Sequence, residues 1–208
     1  MKIVLYGASG MIGSRIMREL LSRGHTVTAI VRDPSKFPPS QAVVRQGDVL
    51  DPARVAETAK GADAVISAYA PPSDDTAKVV DATRSLIAGL RNAGVKRFLM
   101  VGGAGSLRLP SGDELVDAPD FPPAFKAIAL AHRDALDVAR QSDFDWTSFS
   151  PAAVIEPGER TGEFRLGKDD LIANQKGESR ISAEDYAIAM VDELENPKYI
   201  RQRFTIGY

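Results

Sequence analysis

The sequence predicts an α/β fold built on a doubly wound parallel sheet with helices on both faces. Short apolar segments alternate with longer amphipathic segments through the first 150 residues, which is typical of right-handed strand–helix–strand units. The first apolar segment, 2–6, leads directly into glycines at positions 7, 10 and 13. From Ser150 onward this alternation is lost. We expect residues 151–208 to form a small irregular C-terminal part that caps the substrate side and adds a last helix and strand to a single domain of residues 1–208.

Six strands are expected in the regular part of the chain. Each is a short run rich in β-branched, apolar or aromatic residues that ends at Gly, Pro, Asp or Ser. In order, the segments are 2–6, 26–31, 42–46, 64–68, 97–101 and 145–149.

Helices are expected between these strands, and their ends carry local signals. Asp51-Pro52 begins one helix with an N-cap followed by a proline, and Asp33-Pro34 has the same form after the second strand. Gly24 and Gly94 are expected to end helices. The predicted helices are 11–23, 52–60, 75–92 and 124–140.

The last third contains weaker patterns. Two strand-like pieces, 163–166 and 171–173, precede Ser182, which is expected to cap a helix together with Asp185 in a capping box. A final strand is expected at 203–206. The apolar face of the last helix is formed by Ile188, Val191 and Leu194.

Composition excludes several classes of function. The 208 residues carry 26 basic and 28 acidic side chains, for a net charge of −2, which gives no electrostatic basis for binding nucleic acid or a membrane surface. Cysteine is absent, and no His/carboxylate cluster has metal-ligand spacing, so no metal is expected. No apolar run approaches the ~18 residues of a membrane span, and no apolar leader is seen, so we expect a cytoplasmic protein. The oligomeric state stays open.

The glycine turn predicts a dinucleotide site. Glycines allow the backbone to turn sharply and to approach a pyrophosphate, while the following helix N-terminus offers N–H groups and a positive dipole end. The motif GASGMIG lies between a strand and an amphipathic helix, as this interpretation requires. The residues expected to bind the cofactor here are Gly7, Ser9, Gly10, Met11, Ile12 and Gly13.

The carboxyl ends of the other parallel strands should line the same crevice. Arg32 follows the second strand, where an acidic residue would favour NAD(H), and its planar guanidinium suits a 2′-phosphate. We therefore expect NADP(H) to be favoured over NAD(H). Asp33 is explained as the N-cap, and Lys36 could add a second charge. Further residues expected at the cofactor are Asp48, Val49, Ala68, Tyr69, Ala70, Gly102, Gly103, Pro151 and Ala152.

Several of these residues carry a family resemblance. The segments GASGMIG, VRDPSK, GDVLD, VGGAGS and ISAEDYAIAM resemble the atypical short-chain dehydrogenase/reductases. Within that group the chain is most similar to small NAD(P)H-binding proteins related to flavin reductases and biliverdin-IXβ reductase. That group borders the NmrA-like regulators and is often labelled epimerase/dehydratase-like. The resemblance spans 2–208 and implies a Rossmann-type fold with an NAD(P)H cofactor.

One feature of the superfamily is missing. Its members use a Tyr-x-x-x-Lys pair on the helix after the fifth strand, and the matching positions here fall near Ile128 and His132. Ser106 matches a family position whose hydroxyl lies near nicotinamide and substrate. We therefore take Ser106 and His132 as the candidate catalytic residues, each with a structural role as the alternative. His25 is expected to be solvated.

Three functions follow as hypotheses. The first is an NADPH-dependent reductase of flavin-like or other conjugated acceptors, since such rings accept hydride without a strong protein acid. The second is a non-catalytic NADP(H)-binding sensor or regulator. The weakest is a nucleotide-sugar epimerase/dehydratase, which needs the missing acid/base pair. The long connection 102–123 is expected to be a mobile lid over the nicotinamide end.

Overall fold

A computed structural model describes residues 1–38 and 40–208. Within these residues it contains ten strands: β1 Lys2–Tyr6, β2 Thr26–Val31, β3 Val43–Gln46, β4 Ala64–Ser67, β5 Arg97–Val101, β6 Asp145–Ser150, β7 Val154–Glu156, β8 Arg165–Gly167, β9 Arg180–Ser182 and β10 Gln202–Gly207. The α-helices are α1 Met11–Ser22, α2 Pro52–Ala59, α3 Lys78–Ala93, α4 Pro123–Arg140 and α5 Ala183–Glu195. None of the helices in this described part is long and apolar enough to span a membrane.

Eight strands form one sheet in the order β3-β2-β1-β4-β5-β6-β10-β8. All neighbours in this sheet are parallel except β8, which runs antiparallel to β10. The order reverses between β1 and β4, and a crevice opens at such a point beside the carboxyl ends of the strands. The predicted Rossmann-type fold is confirmed.

Alternate residues of β1 show how the sheet is covered on both faces. Ile3 and Leu5 pack in an apolar cluster with α1 and α5. Val4 and Tyr6 pack in a second cluster with α2, α3 and α4. This alternation follows from the two-residue period of a strand, and it places the helices on both sides of the sheet.

The C-terminal part joins the sheet more fully than the sequence indicates. β10 lies between β6 and β8. Phe149 of β6 stacks on Phe204 of β10 with a centroid distance of 3.9 Å, and on Tyr186 of α5 at 4.0 Å. The stack packs α5 and β10 against β6, and so holds the C-terminal part against the strands formed by the first 150 residues.

One prediction for this part is wrong, and one feature was not predicted. Segment 171–173 is not a strand: Leu171 N–H donates to the Arg108 carbonyl at 2.8 Å, and Ile172 packs beside Gly207. The small parallel sheet of β7 and β9 was not anticipated, because three-residue strands carry too little pattern to be recognised.

The capping of α5 is only partly as predicted. The Ser182 hydroxyl accepts from Asp185 N–H at 3.0 Å, which confirms the N-cap. The reciprocal bond of a capping box is not formed. The buried Asp185 carboxylate instead accepts from the backbone N–H groups of Thr161 and Gly162 at 2.8 and 2.9 Å, and from the Tyr208 hydroxyl at 2.8 Å. It thereby holds the preceding loop against the helix, and these donors lower the pKa of Asp185 despite its burial.

Smaller differences have local causes. α3 begins at Lys78 rather than at 75, because turns closed by Asp75 N–H to Pro72 and Lys78 N–H to Asp75 precede it. His25 is not solvated: its side chain is 7% exposed, and Nε2 lies 2.8 Å from Glu195 of α5.

Candidate functional site

A crevice of about 250 Å³ opens at the carboxyl ends of β1 to β4, and we call it the cofactor crevice. It gathers residues from the ends of four strands and the loops that follow them, together with Lys78 of α3, as expected for parallel strands that share one edge. The predicted cofactor residues that line it are Gly7, Ser9, Gly10, Arg32, Asp48, Val49, Ala68, Tyr69 and Ala70.

The glycines of the first turn have two different roles. Gly7 has φ +76°, and a Cβ on it would lie 2.2 Å from the Ala68 carbonyl oxygen. A Cβ on Gly13 would lie 2.1 Å from the Gly7 oxygen, so α1 can approach the turn only with glycine here. A Cβ on Gly10 would meet only the Gly7 oxygen, at 3.3 Å, and would otherwise enter open space at the crevice.

The start of α1 is suited to an anion. Gly10 is its N-cap, no side chain of the described residues caps it, and its first turn has no acidic residue. The backbone N–H groups of Met11 and Ile12 are thus left for a ligand at the positive end of the helix dipole. The cradle therefore fits the pyrophosphate of a dinucleotide.

The region beside Arg32 continues into a second space of about 450 Å³, lined by Arg32, Asp48, Asp51 and Arg54 among others. Arg32 is exposed and has no ion pair among residues 1–38 and 40–208. Arg54 pairs only with Glu57, at 2.8 Å, and both side chains are largely exposed. Arg54 was missed by the sequence analysis, because its position beside Arg32 depends on the pairing of β2 with β3.

The charged residues near Arg32 form hydrogen bonds or ion pairs with residues close to them in sequence. Asp33 accepts from the Ser35 N–H at 3.1 Å, which confirms it as an N-cap. Lys36 is 83% exposed and pairs with Asp33 at 3.2 Å. Asp48 accepts from the Leu50 N–H at 2.9 Å, so it stabilises the turn in addition to lining the crevice.

The end of the crevice near β4 holds a tyrosine and a lysine. Burial raises the pKa of Tyr69, which lines the crevice. Lys78, at the first position of α3, also lines it and pairs with Asp75 at 2.9 Å. Lys78 was not predicted as a site residue, since the sequence placed the start of this helix one turn earlier.

A second cavity, of about 550 Å³, lies beyond the carboxyl ends of β5 and β6, and we call it the apolar cavity. Its walls come from α4, from the segment after β5 and from the segment after β6. Four predicted site residues line it: Gly103, His132, Pro151 and Ala152. The mouth includes Phe125 and Val154, whose side chains are 61% and 44% exposed.

The glycines after β5 bring this loop against α4. A Cβ on Gly103 would lie 2.8 Å from the His132 Cβ, and one on Gly105 would lie 2.6 Å from the Ala129 Cβ. A Cβ on Gly102 would similarly lie 2.9 Å from the Ser148 hydroxyl oxygen. The space expected beside the cofactor is therefore taken up by α4 and β6.

His132 is held in an apolar setting. Burial lowers the pKa of its imidazole to about 4, so the ring is neutral at neutral pH. Its Nδ1 atom is buried and has no hydrogen-bond partner among the described residues. Ile128, one turn earlier on α4, lines the same cavity. The two positions that correspond to the superfamily's Tyr and Lys thus lie side by side in the wall.

Ser106 lies elsewhere. Its hydroxyl oxygen accepts from Arg203 Nη1 at 2.8 Å, and Arg203 in turn donates to Asp169 at 2.7 Å. Ser106 is 8% exposed and lines neither cavity. Its hydroxyl ties the loop after β5 to β10. Met11, Ile12, Gly13 and Gly102 also lie outside the two linings, behind or beside the turns they form.

The long connection after β5 is anchored over its first part. Arg108 N–H donates to the Asp169 carbonyl at 2.8 Å, and Val116 is fully buried. The next stretch, 118–125, covers the end of the connection and the first residues of α4, and it contributes the exposed Phe125 to the mouth of the apolar cavity. Only this stretch remains a candidate for a mobile lid over the site.

Other acid/base groups are committed to the fold. The Tyr6 hydroxyl lies 2.7 Å from Thr58 Oγ1, and burial raises its pKa to about 12. The Tyr186 hydroxyl donates to the Phe149 carbonyl at 2.6 Å. Within the described ranges, no group of three His, Cys, Asp or Glu residues is arranged to hold a metal ion.

Comparison with known proteins agrees with this geometry. A family described as NAD(P)H-binding matches residues 7–197. A structure from Burkholderia pseudomallei, described as a candidate exported protein, is 51% identical with a TM-score of 0.93 and covers 100% of both chains. A candidate epimerase from Bacteroides thetaiotaomicron is 47% identical with a TM-score of 0.91, over 100% of this chain and 96% of the other.

A third structure, described as a candidate NADH-flavin reductase from Streptococcus pneumoniae, is 38% identical with a TM-score of 0.90. It covers 100% of this chain and 99% of its own. The resemblance to the atypical, flavin reductase-like dehydrogenase/reductases is thus confirmed. With the family match over almost the whole chain and a glycine cradle that fits a pyrophosphate, the protein belongs to the NAD(P)H-binding family.

Proposed function

We propose that this protein is an NADPH-dependent reductase that transfers hydride directly to a planar conjugated acceptor of the flavin type. The observation that carries the proposal is the apolar cavity beside the cofactor crevice, whose wall has Ile128 and His132 where an alcohol dehydrogenase has Tyr and Lys. A cavity with this lining suits a flat ring better than a sugar or a small hydroxy acid.

Two arginines support the choice of NADPH. Arg32 has no acidic partner among the described residues, and Arg54 has only a solvent-exposed one. Such an exposed pair is worth about 1 kcal/mol or less, so Arg54 can exchange Glu57 for a phosphate at little cost. Asp48 and Asp51 line the same space, but each accepts backbone N–H bonds that hold a turn or a helix start.

The glycine turn and Arg32 would hold NADPH, whose dihydronicotinamide would supply a hydride carrying two electrons, and the reduced acceptor would take one further proton. The contribution of the chain is positioning: Pro151 and Ala152 form part of the wall of the apolar cavity, and Phe121 and Phe125 lie at its mouth. These apolar groups exclude water and orient a ring by contact.

A strong protein acid is not needed for this reaction. The lowered pKa of His132 leaves no imidazolium in the wall at neutral pH, and the Ser106 hydroxyl is bonded to Arg203. Water at the open mouth of the cavity delivers the proton to the reduced ring. We therefore assign His132 a role in the cavity wall and Ser106 a role in stabilising the fold. Neither acts as an obligatory general acid.

The test measures NADPH oxidation against riboflavin, FMN, quinones and biliverdin, together with calorimetric binding of NADPH and NADH. We expect turnover with flavins and tighter binding of NADPH. Ile128→Trp, which fills the apolar cavity, should abolish turnover and leave NADPH affinity unchanged. Arg140→Trp, on the exposed last turn of the same helix, is the matched control. Tight NADPH binding without turnover of any acceptor would refute the reductase and favour an NADP(H)-binding regulator.

A second comparison tests the choice of cofactor. Arg54→Ala should weaken NADPH but not NADH. Arg84→Ala removes an arginine from a similar exposed pair, with Asp81 at 3.4 Å, and should change neither. If Arg54→Ala lowered the affinity for NADPH and NADH equally, Arg54 would not contact the 2′-phosphate.

A further inference from the structure

The apolar cavity has an unusual balance of charge. Among the described residues, none that lines it is Lys or Arg, although 26 of the 208 residues in the chain are basic. Of the described lining residues, Asp120 is the one that is charged at neutral pH, since burial keeps His132 neutral. A ligand in this cavity therefore meets one negative charge and no positive one.

Two arginines near the cavity are engaged with acidic partners, and Lys126, exposed on the first turn of α4, does not line the cavity. Arg133 follows His132 on α4 but pairs with Glu114 at 3.2 Å. Arg108, on the connection after β5, pairs with Asp170 at 2.9 Å. Neither lines the cavity. An anionic group inside the cavity would meet no lining cation, and an unpaired charge at an apolar wall is costly.

The single carboxylate lies beside the aromatic part of the mouth. Asp120 is exposed and directly precedes Phe121, and Phe125 lies across the first turn of α4 with 61% of its surface exposed. Two phenyl rings and a carboxylate together suit a flat ring that bears N–H donors or a positive charge. The same carboxylate repels a phosphate or carboxylate substituent.

We infer that the apolar cavity selects planar acceptors that are uncharged or cationic and discriminates against those bearing phosphate or carboxylate groups, with Asp120 at the mouth as the specificity-determining residue. This inference rests on the proposed function, because it names the acceptor class of the same site. It predicts riboflavin-type acceptors over their phosphorylated forms, and cationic dyes over anionic ones.

The experiment uses riboflavin and FMN, which differ only in one phosphate, as a matched pair of acceptors. We expect kcat/KM for riboflavin to exceed that for FMN by about tenfold, the ratio expected for one repulsive charge contact near a protein surface. Methylene blue, a cationic ring, should be reduced at least as well as riboflavin. Binding of riboflavin and FMN without NADPH, followed by quenching of their fluorescence, should give the same order.

Two variants isolate the carboxylate. Asp120→Asn should reduce the preference for riboflavin, and Asp120→Lys should reverse it. Asp117→Asn removes a charge from an exposed residue of the same connection that does not line the cavity, and it should leave the ratio unchanged. Circular dichroism checks that each variant is folded.

The outcomes distinguish a failure of the charge selection from a failure of the proposed reductase function. Equal use of riboflavin and FMN, or a ratio that Asp120→Lys leaves unchanged, would overturn the selection by charge while the reductase function stands. Absence of both turnover and flavin binding would overturn the proposed function, and with it this inference.

Discussion

His132 provides a test of the site that does not depend on knowing the substrate. Burial lowers the pKa of its imidazole from 6.5 to about 4, whereas in the unfolded chain the ring titrates normally. Below the unfolded pKa the unfolded state therefore binds a proton that the folded state refuses, so stability falls as pH is lowered from about 6.5 towards 4.

The size of the effect follows from the shift. Between about pH 7 and pH 5, the unfolded ring becomes protonated and the folded ring remains neutral, which costs about 2 kcal/mol of folding free energy. The ring keeps some contact with solvent through the cavity that it lines, so we expect about 1 to 2 kcal/mol in practice.

The assay is urea unfolding of the wild type and of His132→Leu at the two pH values. Between pH 7 and pH 5, the free energy of unfolding of the variant should fall by about 1 to 2 kcal/mol less than that of the wild type. His132→Gln, a neutral polar residue, separates titration from packing and should also show the weaker pH dependence. Parallel decline of all three proteins between pH 7 and pH 5 would show that the imidazole is not held neutral. The description of the cavity wall would then be wrong.

Three further predictions concern the cofactor crevice. Arg32→Ala should weaken NADPH binding by about 1.5–3 kcal/mol, as for a charge-assisted hydrogen bond, and leave NADH unchanged in calorimetry; equal losses for both would contradict a 2′-phosphate contact. Gly10→Val should fold normally and lose NADPH binding, because the valine side chain enters the crevice. Gly13→Val should instead lower the free energy of unfolding by about 3 kcal/mol, because its Cβ would lie 2.1 Å from the Gly7 backbone oxygen. Normal NADPH affinity in a folded Gly10→Val variant would refute the cradle. Hydrogen exchange at 118–125 should slow when NADPH and an acceptor bind, while 105–117 should be protected already; unchanged exchange at 118–125 under saturation would exclude a lid.

Features of the fold that depend on neighbouring residues could be read from the sequence. The glycine turn, the Asp33 and Ser182 caps and the regular strands are specified by residues within a few positions of one another. The separate strands β7 and β9 were not predicted, since each has only three residues and their pairing joins residues 26 positions apart. The same holds for Asp185, whose bonds to Thr161 and Gly162 depend on where a distant loop lies.

The residues of the candidate site also fall into a group that the sequence predicts and a group that it does not. The residues that line the cofactor crevice follow strand ends, so the parallel topology alone groups them. Arg54, Lys78 and Asp120 could not be identified, because their positions depend on strand order or on the path of a loop. Ser106 was selected by resemblance, and its bond to Arg203 joins residues 97 positions apart, which no local pattern indicates.

The position of β10 between β6 and β8 has a consequence for how the chain reaches this fold. β8 pairs in the main sheet only with β10, so residues 165–167 have no strand to join until 202–207 have been synthesised. A nascent chain can assemble β1 to β6 first, since domains form from the N-terminus during synthesis, but β6 is then an open edge with Phe149 lacking its partner from β10. Exposed edges of this kind invite pairing with other chains. Substitutions in β10 should therefore reduce the yield of folded protein in cells more than their effect on equilibrium stability implies.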